Sequence, residues 1–278
     1  MIRYALAARV VLVSLTAGII LFGTPHPASA IPGHPPRPSR PFTVYLGFDD
    51  GPMYGRTDKI LDTLKRYNVH ATFFIQGNHA TSGAALVARE IVEGHHVGNH
   101  LWYHEDLVIA TNHPKDDVLL NRYTMTQDVI YRALGNDLWM RFNREEPTKP
   151  FRWPGGAVKA FPRPDVITYN WNVTAGDDVV GGARVSQVVN SVLYGDPPNH
   201  IYGVYAWGDG AVVLLHDTSR ATVRALPLII ENLLAHGVTF GVLPRAGDKP
   251  ATMPIRIGDV PECAHRPGDC GRQNSMGH

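Results

Sequence analysis

The sequence predicts an α/β fold with a parallel sheet, and three observations support this class. Short runs rich in apolar, β-branched and aromatic residues alternate with segments of helical periodicity from residue 42 to residue 244. The chain has 278 residues, of which 44% are hydrophobic and 18% charged, which suits one globular domain or at most two. No internal repeat interrupts the alternation. The alternation alone leaves open whether the sheet closes into a barrel.

About seven strands are expected along this stretch. Five of them are predicted at residues 42–48, 70–75, 166–171, 211–215 and 238–242. A short strand around residue 97 and another that ends at residue 152 complete the set. Helices are predicted at 58–67, 84–92 and 116–134, with a last helix that ends near His236 and that Pro227 starts or kinks. Residues 136–149 and 195–208 are expected to be loop insertions.

The first 30 residues are expected to be a secretory signal peptide rather than part of the fold. Arg3 and Arg9 precede an apolar run at 10–22, and a small-residue triplet that ends at Ala30 forms a cleavage site. The alternative is a membrane anchor, but a run of thirteen residues falls short of the ~20 that span a bilayer. Cleavage would leave no stable membrane anchor and would place the protein outside the cytoplasm, secreted or in the cell wall or periplasm.

The remaining sequence divides into a linker, a domain and a tail. Residues 31–41 contain five prolines and are typical of a stiff linker, residues 42–244 form the predicted domain, and residues 245–278 form an irregular tail. Because an exported chain meets an oxidising environment, Cys263 and Cys270 are expected to form a disulfide in that tail. The net charge of +1 argues against a nucleic-acid partner, and fourteen histidines keep metal chemistry open.

Two adjacent carboxylates, Asp49 and Asp50, stand where the first predicted strand ends. Gly51 and Pro52 then turn the chain away. Neighbouring residues of a strand point to opposite faces, so at a strand end one carboxylate can hold a metal while the other stays free as a base. An ordinary Asp-Asp-Gly-Pro turn is the better explanation of this segment when it is taken alone.

Two histidines, His100 and His104, stand at positions i and i+4. On a helical turn they would share one face and could bind one cation, although this spacing also arises by chance. Together with Asp50 they make a set of two histidines and one carboxylate that leaves room for water and substrate. Such open sites suit Zn²⁺ or another divalent transition ion.

Three further polar segments follow predicted strands. Arg152 could orient a carboxylate bidentately, and the glycines after it leave backbone N–H groups open, as an oxyanion site requires. Asp177 follows the strand at 166–171, and His216 ends the apolar strand at 211–215. Each segment alone could be a turn or a satisfied edge residue. In parallel α/β folds, however, the carboxyl ends of the strands carry the active site.

In this order, the five segments resemble the polysaccharide deacetylase family, which is the NodB homology domain or carbohydrate esterase family 4. The resemblance runs from about Phe42 to Leu243 and rests on Phe-Asp-Asp-Gly-Pro, His-x-x-x-His, Arg-x-Pro-x-Gly and Leu-x-His. It implies a distorted (β/α) barrel and metal-dependent removal of N- or O-acetyl groups from a glycan. It also implies a role for each matching position: metal ligands Asp50, His100 and His104; general base Asp49, held by Arg152; general acid His216, oriented by Asp177; acetyl pocket Leu214; oxyanion donor Gly155 N–H.

The fourth motif departs from the family pattern. Asp178 stands where the family often has Trp, and Thr174 where it often has Asp, so the apolar wall of the acetyl pocket is expected from Trp153 or Trp171. The form of the segment at 169–177, together with that at 152–156, resembles the bacterial peptidoglycan-deacetylase branch. This resemblance implies peptidoglycan or a chitin-like N-acetylglucosamine polymer as substrate and Zn as the metal. Co, Ni or Mn stays open. The alternatives are an O-acetyl xylan esterase and a non-catalytic glycan-binding protein.

Overall fold

A computed structural model describes residues 40–104, 116–145, 149–156, 161, 163, 165–179, 182–196 and 201–243. The predicted signal peptide, nearly all of the linker and the tail with both cysteines lie outside these residues, so those expectations stay predictions. Within the described ranges, no helix has both the length and the apolar character that crossing a membrane requires.

Strands and helices alternate through the described part of the chain. The strands are β1 (Thr43–Asp49), β2 (Thr72–Ile75), β3 (His96–Asn99), β4 (Lys149–Phe151), β5 (Val166–Thr168), β6 (Val173–Thr174), β7 (Gly195–Asp196), β8 (Ile201–Tyr202), β9 (Ala211–His216) and β10 (Thr239–Gly241). The helices are α1 (Thr57–Tyr67), α2 (Gly77–Val92), α3 (Asp116–Glu145), α4 (Val185–Leu193), α5 (Val204–Trp207) and α6 (Arg220–Leu234).

The main sheet is parallel and strongly curled. Its strands follow the order β5-β4-β3-β2-β1-β9-β6, and β10 pairs with the first half of β1. Although β5 and β6 lie at opposite ends of this path, only residues 169–172 separate them in the chain. The two edges therefore cannot be farther apart than about 18 Å, and the sheet must bend into an incomplete barrel. The predicted α/β class with a distorted barrel is confirmed.

The central strands form because their residues are apolar on both faces. The first five residues of β9 are all buried, as expected for a strand inside a parallel sheet that helices cover. The covering helices present apolar stripes to it. In α6, for example, Leu226, Ile229, Ile230 and Leu233 are buried, and the hydroxyl of Ser219 caps the first turn by accepting from the Thr222 N–H.

Several predicted boundaries were wrong for tertiary reasons. The expected loop at 136–149 is largely helical, because α3 continues after a break at Gly135 and places Leu138 and Trp139 against the core. The expected loop at 195–208 contains the antiparallel pair β7–β8 and the single turn α5. The last helix begins at Arg220, so Pro227 lies inside it and does not start it.

The carboxyl group of Glu90 is buried among apolar side chains of the core. Glu90, on α2, is fully buried, and neither of its side-chain oxygens has a hydrogen-bond partner among the described residues. Burial, together with the charge of Asp217, holds the pKa of Glu90 well above its ordinary value. The folded protein therefore keeps this proton at pH values where the unfolded chain has released it. As a result, the contribution of Glu90 to stability falls as the pH rises above about 4.3.

Glu90→Gln should therefore stabilise the protein at pH 8 more than at pH 5. The amide resembles the protonated carboxyl but releases no proton. The gain should grow by up to about 1.4 kcal/mol per pH unit between the ordinary and the raised pKa. Denaturant unfolding at several pH values measures it. Glu93→Gln is the control. Arg89 and Lys65 outweigh burial and lower the pKa of Glu93, so the stability change that this variant causes should be nearly the same at pH 5 and pH 8. A destabilisation by Glu90→Gln that is equal at both pH values would contradict this account.

Candidate active site

The register of the sheet brings the polar segments to one edge. Asp49, the last residue of β1, pairs with His216, the last residue of β9. Asn99 and Phe151, the last residues of β3 and β4, also pair, so the residues after them, His100 and Arg152, leave the sheet side by side. This edge is the carboxyl end of the strands, where the motifs were predicted to converge.

Asp49 and Arg152 form a buried ion pair. The Arg152 Nη1 donates to Asp49 Oδ1 at 2.7 Å, and its Nε donates to the carbonyl of Tyr169 at 3.1 Å. Its guanidinium also lies over the ring of Phe74, 4.1 Å from the centroid. Burial lowers the pKa of Arg152, although the Asp49 carboxylate acts in the opposite direction. These contacts fix the Asp49 carboxylate with one oxygen bonded and the other directed towards His100, whose Nε2 is 3.9 Å away.

Gly47 makes room for this arginine. It lies on the same face of β1 as Asp49, two residues earlier. A Cβ at this position would stand 2.7 Å from Arg152 Nη1, which is closer than real contacts allow. The glycine in the middle of an apolar strand is therefore part of the site's construction.

Asp50, His100 and His104 form a second group beside the ion pair. Each offers one ligand atom, and the three atoms lie within 4.8 Å of one another, as metal ligands must. The Nε2 of His100 is 3.4 Å from Asp50 Oδ1, and its Nδ1 is 2.8 Å from the carbonyl of Arg152. Because a carbonyl only accepts, Nδ1 carries the proton in the neutral ring, and Nε2 keeps its lone pair for a cation.

The turn that holds the two histidines is not helical, so they do not meet on the helical face that the i and i+4 spacing could have given. Leu101 has a φ of 61°, which no α-helix contains. Its N–H donates to Asn99 Oδ1 at 2.9 Å, and its carbonyl accepts from the N–H of Gly77. The imidazoles of His100 and His104 still meet, with centroids 5.9 Å apart, because the left-handed residue reverses the chain between them.

The charges of this group are strongly coupled. Burial by itself would raise the pKa of Asp50, but His100, with smaller effects from His216 and His104, holds it far below its ordinary value. Burial likewise opposes the charged form of His100, but Asp49 and Asp50 raise its pKa. A site that stabilises a positive charge between these carboxylates is suited to a cation.

His216 is held by Asp177 through two bonds. Its Nδ1 is 2.9 Å from Asp177 Oδ1, and its backbone N–H donates to Asp177 Oδ2 at 2.8 Å. The hydroxyl of Thr222 donates to the same oxygen. Burial lowers the pKa of His216, but the charge and hydrogen bond of Asp177 outweigh it and raise the pKa to about 10. The imidazolium form therefore predominates at neutral pH.

Another carboxylate, that of Asp217, packs against the turn that follows Asp50. It is buried and accepts a hydrogen bond from the Thr57 hydroxyl at 2.6 Å. A Cβ on Gly51 would collide with its carboxylate, so the turn packs directly on it. Burial and the charges of Asp50 and Asp49 raise the pKa of Asp217 to about 7, although the Thr57 hydrogen bond acts against this.

A pocket of ≈ 410 Å³ opens beside Asp50 and His216. Asp177 and Asp178 line one side of it, and the loop between β9 and α6 lines another. The cluster of Asp177, Asp178 and His216 also has ligand atoms close enough for a cation. In this cluster, however, Asp177 and His216 are already bonded to each other.

Comparison with known proteins identifies the family. A family model described as polysaccharide deacetylase matches residues 37–163. PgdA of Listeria monocytogenes, a peptidoglycan-N-acetylglucosamine deacetylase, is 33% identical over 199 residues, which cover 71% of this chain and 37% of that protein. A chitooligosaccharide deacetylase of Bradyrhizobium sp. is 30% identical over 217 residues, which cover 73% of this chain and 90% of that protein. The chain belongs to the polysaccharide deacetylase family.

A solved member of this family has the same fold. It is a family 4 acetyl xylan esterase from Clostridium thermocellum in complex with a cobalt ion, with 28% identity and a TM-score of 0.56. The match covers 72% of this chain and 88% of the solved one. Against the Listeria protein, in contrast, the chain spans little more than a third of the length. The family predicted from the five motifs is confirmed.

The residues predicted to contact substrate lie in two places. Leu214 and Trp171 are buried together in one apolar cluster, and the Arg152 guanidinium lies 5.7 Å from the Trp171 ring. Gly155 lies in the turn after Arg152 with a φ of 70°. Trp153 is buried elsewhere, edge-on to Phe151 with centroids 5.0 Å apart. Of the two tryptophans, Trp171 thus shares its apolar cluster with Leu214, whereas Trp153 packs in a different one.

Three contributors to the site had no assigned role in the sequence analysis. Gly47 could have been found, since a glycine that interrupts the apolar face of a strand indicates a close approach. Asp217 directly follows His216 but reads as part of a turn. His79 gives no signal in the sequence, because only the fold brings its Nδ1, on α2, to 2.6 Å from the Asp50 carbonyl.

Proposed function

We propose that this protein is a metal-dependent hydrolase that removes N-acetyl groups from a cell-wall or extracellular glycan. One observation carries this proposal: three groups meet at one edge of the sheet. They are the Asp49–Arg152 ion pair, the Asp177–His216 pair and the Asp-His-His group of Asp50, His100 and His104. The relatives' names point to peptidoglycan or a chitin-like N-acetylglucosamine polymer. An O-acetyl xylan esterase is the second candidate, because a solved relative with this fold has that activity.

The Asp-His-His group fits a divalent cation. Asp50 Oδ1 is buried and has no hydrogen-bond partner among the described residues, so a cation would satisfy it. Two ligands about 2.0–2.1 Å from a tetrahedral ion stand about 3.3 Å apart, and Asp50 Oδ1 and His100 Nε2 are 3.4 Å apart. We infer Zn²⁺, with Co²⁺, Ni²⁺ and Mn²⁺ as alternatives. A bound divalent ion supplies Lewis acidity, which polarises a carbonyl and lowers the pKa of water to ~7.

Asp49 would act as the general base. Its Oδ1 is occupied by Arg152, which leaves Oδ2 free to take a proton from water that attacks the acetyl carbon. The arginine keeps the carboxylate in place. General-base assistance of this kind contributes ~10²–10⁴-fold to the rate.

His216 would act as the general acid. An amine leaves poorly unless it is protonated, and the His216 ring carries a proton at neutral pH because Asp177 raises its pKa. The Nδ1 is bound to Asp177, so the proton to be donated is on Nε2. That atom lies 4.0 Å from Asp50 Oδ2 and so faces the reaction centre.

The acetyl group would rest against Leu214 and Trp171, with the Gly155 N–H as an oxyanion donor. One such donor contributes ~10²–10³-fold. The substrates of the relatives also favour action outside the cytoplasm, in agreement with the proposed cleavage after Ala30. The proposed order of segments is therefore signal peptide, linker, deacetylase domain at 42–244 and a tail with a Cys263–Cys270 disulfide.

His104→Ala should remove most of the bound metal. Without the second imidazole, Asp50 and His100 provide two protein ligands, too few for an open catalytic site. Elemental analysis after dialysis against Zn²⁺ should give one ion per chain for the unmodified protein and a small fraction of that for the variant. His70→Ala, at an exposed histidine, is the matched control. Full metal content in His104→Ala would contradict the ligand assignment.

The proposed function is tested by measuring acetate release. The purified protein is incubated with N-acetylglucosamine oligomers, peptidoglycan and acetylated xylan, with Zn²⁺ or Co²⁺ added. Release from the first two supports an N-deacetylase, and release from xylan alone supports the esterase. Glycan binding without acetate release from any of them would identify a non-catalytic binding protein and overturn the proposal.

A further inference from the structure

The turn that carries the proposed oxyanion donor contains two consecutive glycines. Gly155 has a φ of 70° and Gly156 a φ of 73°, both in the left-handed region that glycine adopts without a steric penalty. Glycine also has the greatest backbone freedom of all residues, so such a turn keeps one geometry only where its neighbours hold it. The direction of the Gly155 N–H therefore depends on contacts with residues around the turn.

Two side chains from the segment that joins β5 to β6 hold this turn from outside. Asn170 Nδ2 donates to the Gly156 carbonyl at 3.2 Å. The ring of Trp171 packs so closely that a Cβ on Gly156 would stand 2.4 Å from it. Within the turn itself, the Gly156 N–H donates to the carbonyl of Trp153 at 3.0 Å. The Asn170 amide is thus the one side chain in this group that fixes the turn by a directional bond.

The Asn170 amide is buried at a cost to stability. The residue is 5% exposed, and its Oδ1 has no hydrogen-bond partner among the described residues. A buried amide oxygen without a partner destabilises a folded protein, whereas a leucine of similar size carries no such cost. In the described part of the chain, the Asn170 side chain makes a single hydrogen bond, and this bond goes to Gly156. Stability alone therefore does not explain an asparagine at this position.

The backbone of Asn170 also contacts the group that holds the proposed base. Arg152 Nη2 donates to the Asn170 carbonyl at 3.4 Å, and Arg152 Nη1 donates to Asp49. Because this carbonyl belongs to the backbone, a substitution of the Asn170 side chain leaves it in place. The effect of the side chain can therefore be measured separately from that of the Asp49–Arg152 ion pair.

We propose that Asn170 is a positioning residue that fixes the Gly155–Gly156 turn, and with it the oxyanion donor, relative to the water activated by Asp49. The inference rests on the proposed function, because it assigns Asn170 a part in the same reaction. An oxyanion donor acts on the charge that develops in the transition state and much less on the bound substrate. A misplacement of about 1 Å in such a site costs about 10²-fold in rate. Loss of the Asn170 bond should therefore reduce kcat rather than raise KM.

Asn170→Leu should lower kcat for acetate release from N-acetylglucosamine oligomers about ten- to a hundredfold, with KM and bound Zn²⁺ nearly unchanged. Its free energy of unfolding should not fall, because leucine removes the unpaired amide oxygen and water can reach the half-buried Gly156. Asn170→Asp is a second variant that keeps the shape of the side chain. Its carboxylate only accepts hydrogen bonds, so it should also lower kcat.

Asn172→Leu is the matched control from the same segment. Asn172 Oδ1 accepts from the Val212 N–H at 2.7 Å, so this amide ties the segment to β9 and not to the turn. The control variant should lower the free energy of unfolding and leave kcat of the folded protein unchanged. The two leucine variants therefore have opposite effects on stability and rate, which a general loss of packing would not produce.

A comparison of two substrates identifies the step that Asn170 affects. An oxyanion forms from amides and from esters alike, so Asn170→Leu should slow N-acetyl substrates and activated O-acetyl esters by equal factors. A loss confined to the N-acetyl substrates would place the effect on proton donation by His216 and overturn the inference.

The remaining outcomes separate the inference from the proposed function. An unchanged kcat in Asn170→Leu, or a lower rate that only follows lost metal or lost folded protein, overturns the positioning role and leaves a deacetylase. Absence of acetate release by the unmodified protein from N-acetylglucosamine oligomers, peptidoglycan and acetylated xylan overturns the proposed function, and the inference with it.

Discussion

Asp49→Asn should lower kcat for acetate release by about 10²–10⁴-fold while the bound metal stays in place. The amide has nearly the shape of the carboxylate, and its oxygen can still accept from Arg152 Nη1. It cannot accept a proton from water at neutral pH. Because Asp49 is not in the Asp-His-His group, the ligands Asp50, His100 and His104 remain complete.

The measurement must separate lost chemistry from lost stability. Removal of the carboxylate leaves the charge of Arg152 buried without its partner, which destabilises proteins by about 3–5 kcal/mol. Rates should therefore be compared well below the midpoint of thermal unfolding, with metal content measured on the same samples. Asp62→Asn provides the control, since it removes an exposed carboxylate that pairs with Arg89. A variant that retained a substantial fraction of kcat would show that Asp49 is not the base.

The convergence of the site could be predicted because each motif lies at the end of a strand. In a parallel sheet all carboxyl ends share one edge, so Asp49, His100, Arg152 and His216 had to meet once the strands were recognised. The register supplies the remaining detail. Asp49 faces His216 directly, and a shift of one residue would have moved one of them to the other face of the sheet.

The parts that sequence reasoning missed depend on contacts between distant segments. The strand β6 has two residues, too few for any periodicity, and forms because Val173 and Thr174 pair with β9. The spacing of the two histidines would place them on one face of a helical turn, whereas here the side chain of Asn99 stabilises a left-handed Leu101. Side chains with an i+4 spacing can therefore meet without a helix.

The buried carboxyl groups of Asp217 and Glu90 also could not be predicted from local sequence. Asp217 meets Thr57 across 160 residues of sequence, and nothing local in either segment indicates the contact. Glu90 lies on a helix face that the sequence shows as apolar, so an unpaired carboxyl there could be recognised only from its burial. Tertiary packing, and not local pattern, determines the ionisation of both groups.

His216→Ala should slow hydrolysis of N-acetyl substrates by about 10²–10⁴-fold and that of activated O-acetyl esters much less. An amine must be protonated to leave, whereas a phenolate leaves unaided. The pKa of His216, raised to about 10, means that the unmodified enzyme holds this proton throughout the neutral range. The ratio of the two losses in kcat/KM measures the proton's contribution, and binding of the glycan should be nearly unchanged.

This ratio distinguishes proton donation from the other roles that His216 could have. If its ring stabilised the oxyanion or only supported Asp177, both substrates would lose rate equally, because both pass through a tetrahedral intermediate. Asp177→Asn offers an independent check, since it removes the charge that raises the pKa of His216 and leaves the imidazole in place. In that variant the N-acetyl activity should decline as the pH rises through the neutral range, because the main effect that raises the pKa of His216 is gone while burial still lowers it. A pH profile identical to that of the unmodified protein would show that the His216 proton does not limit the reaction.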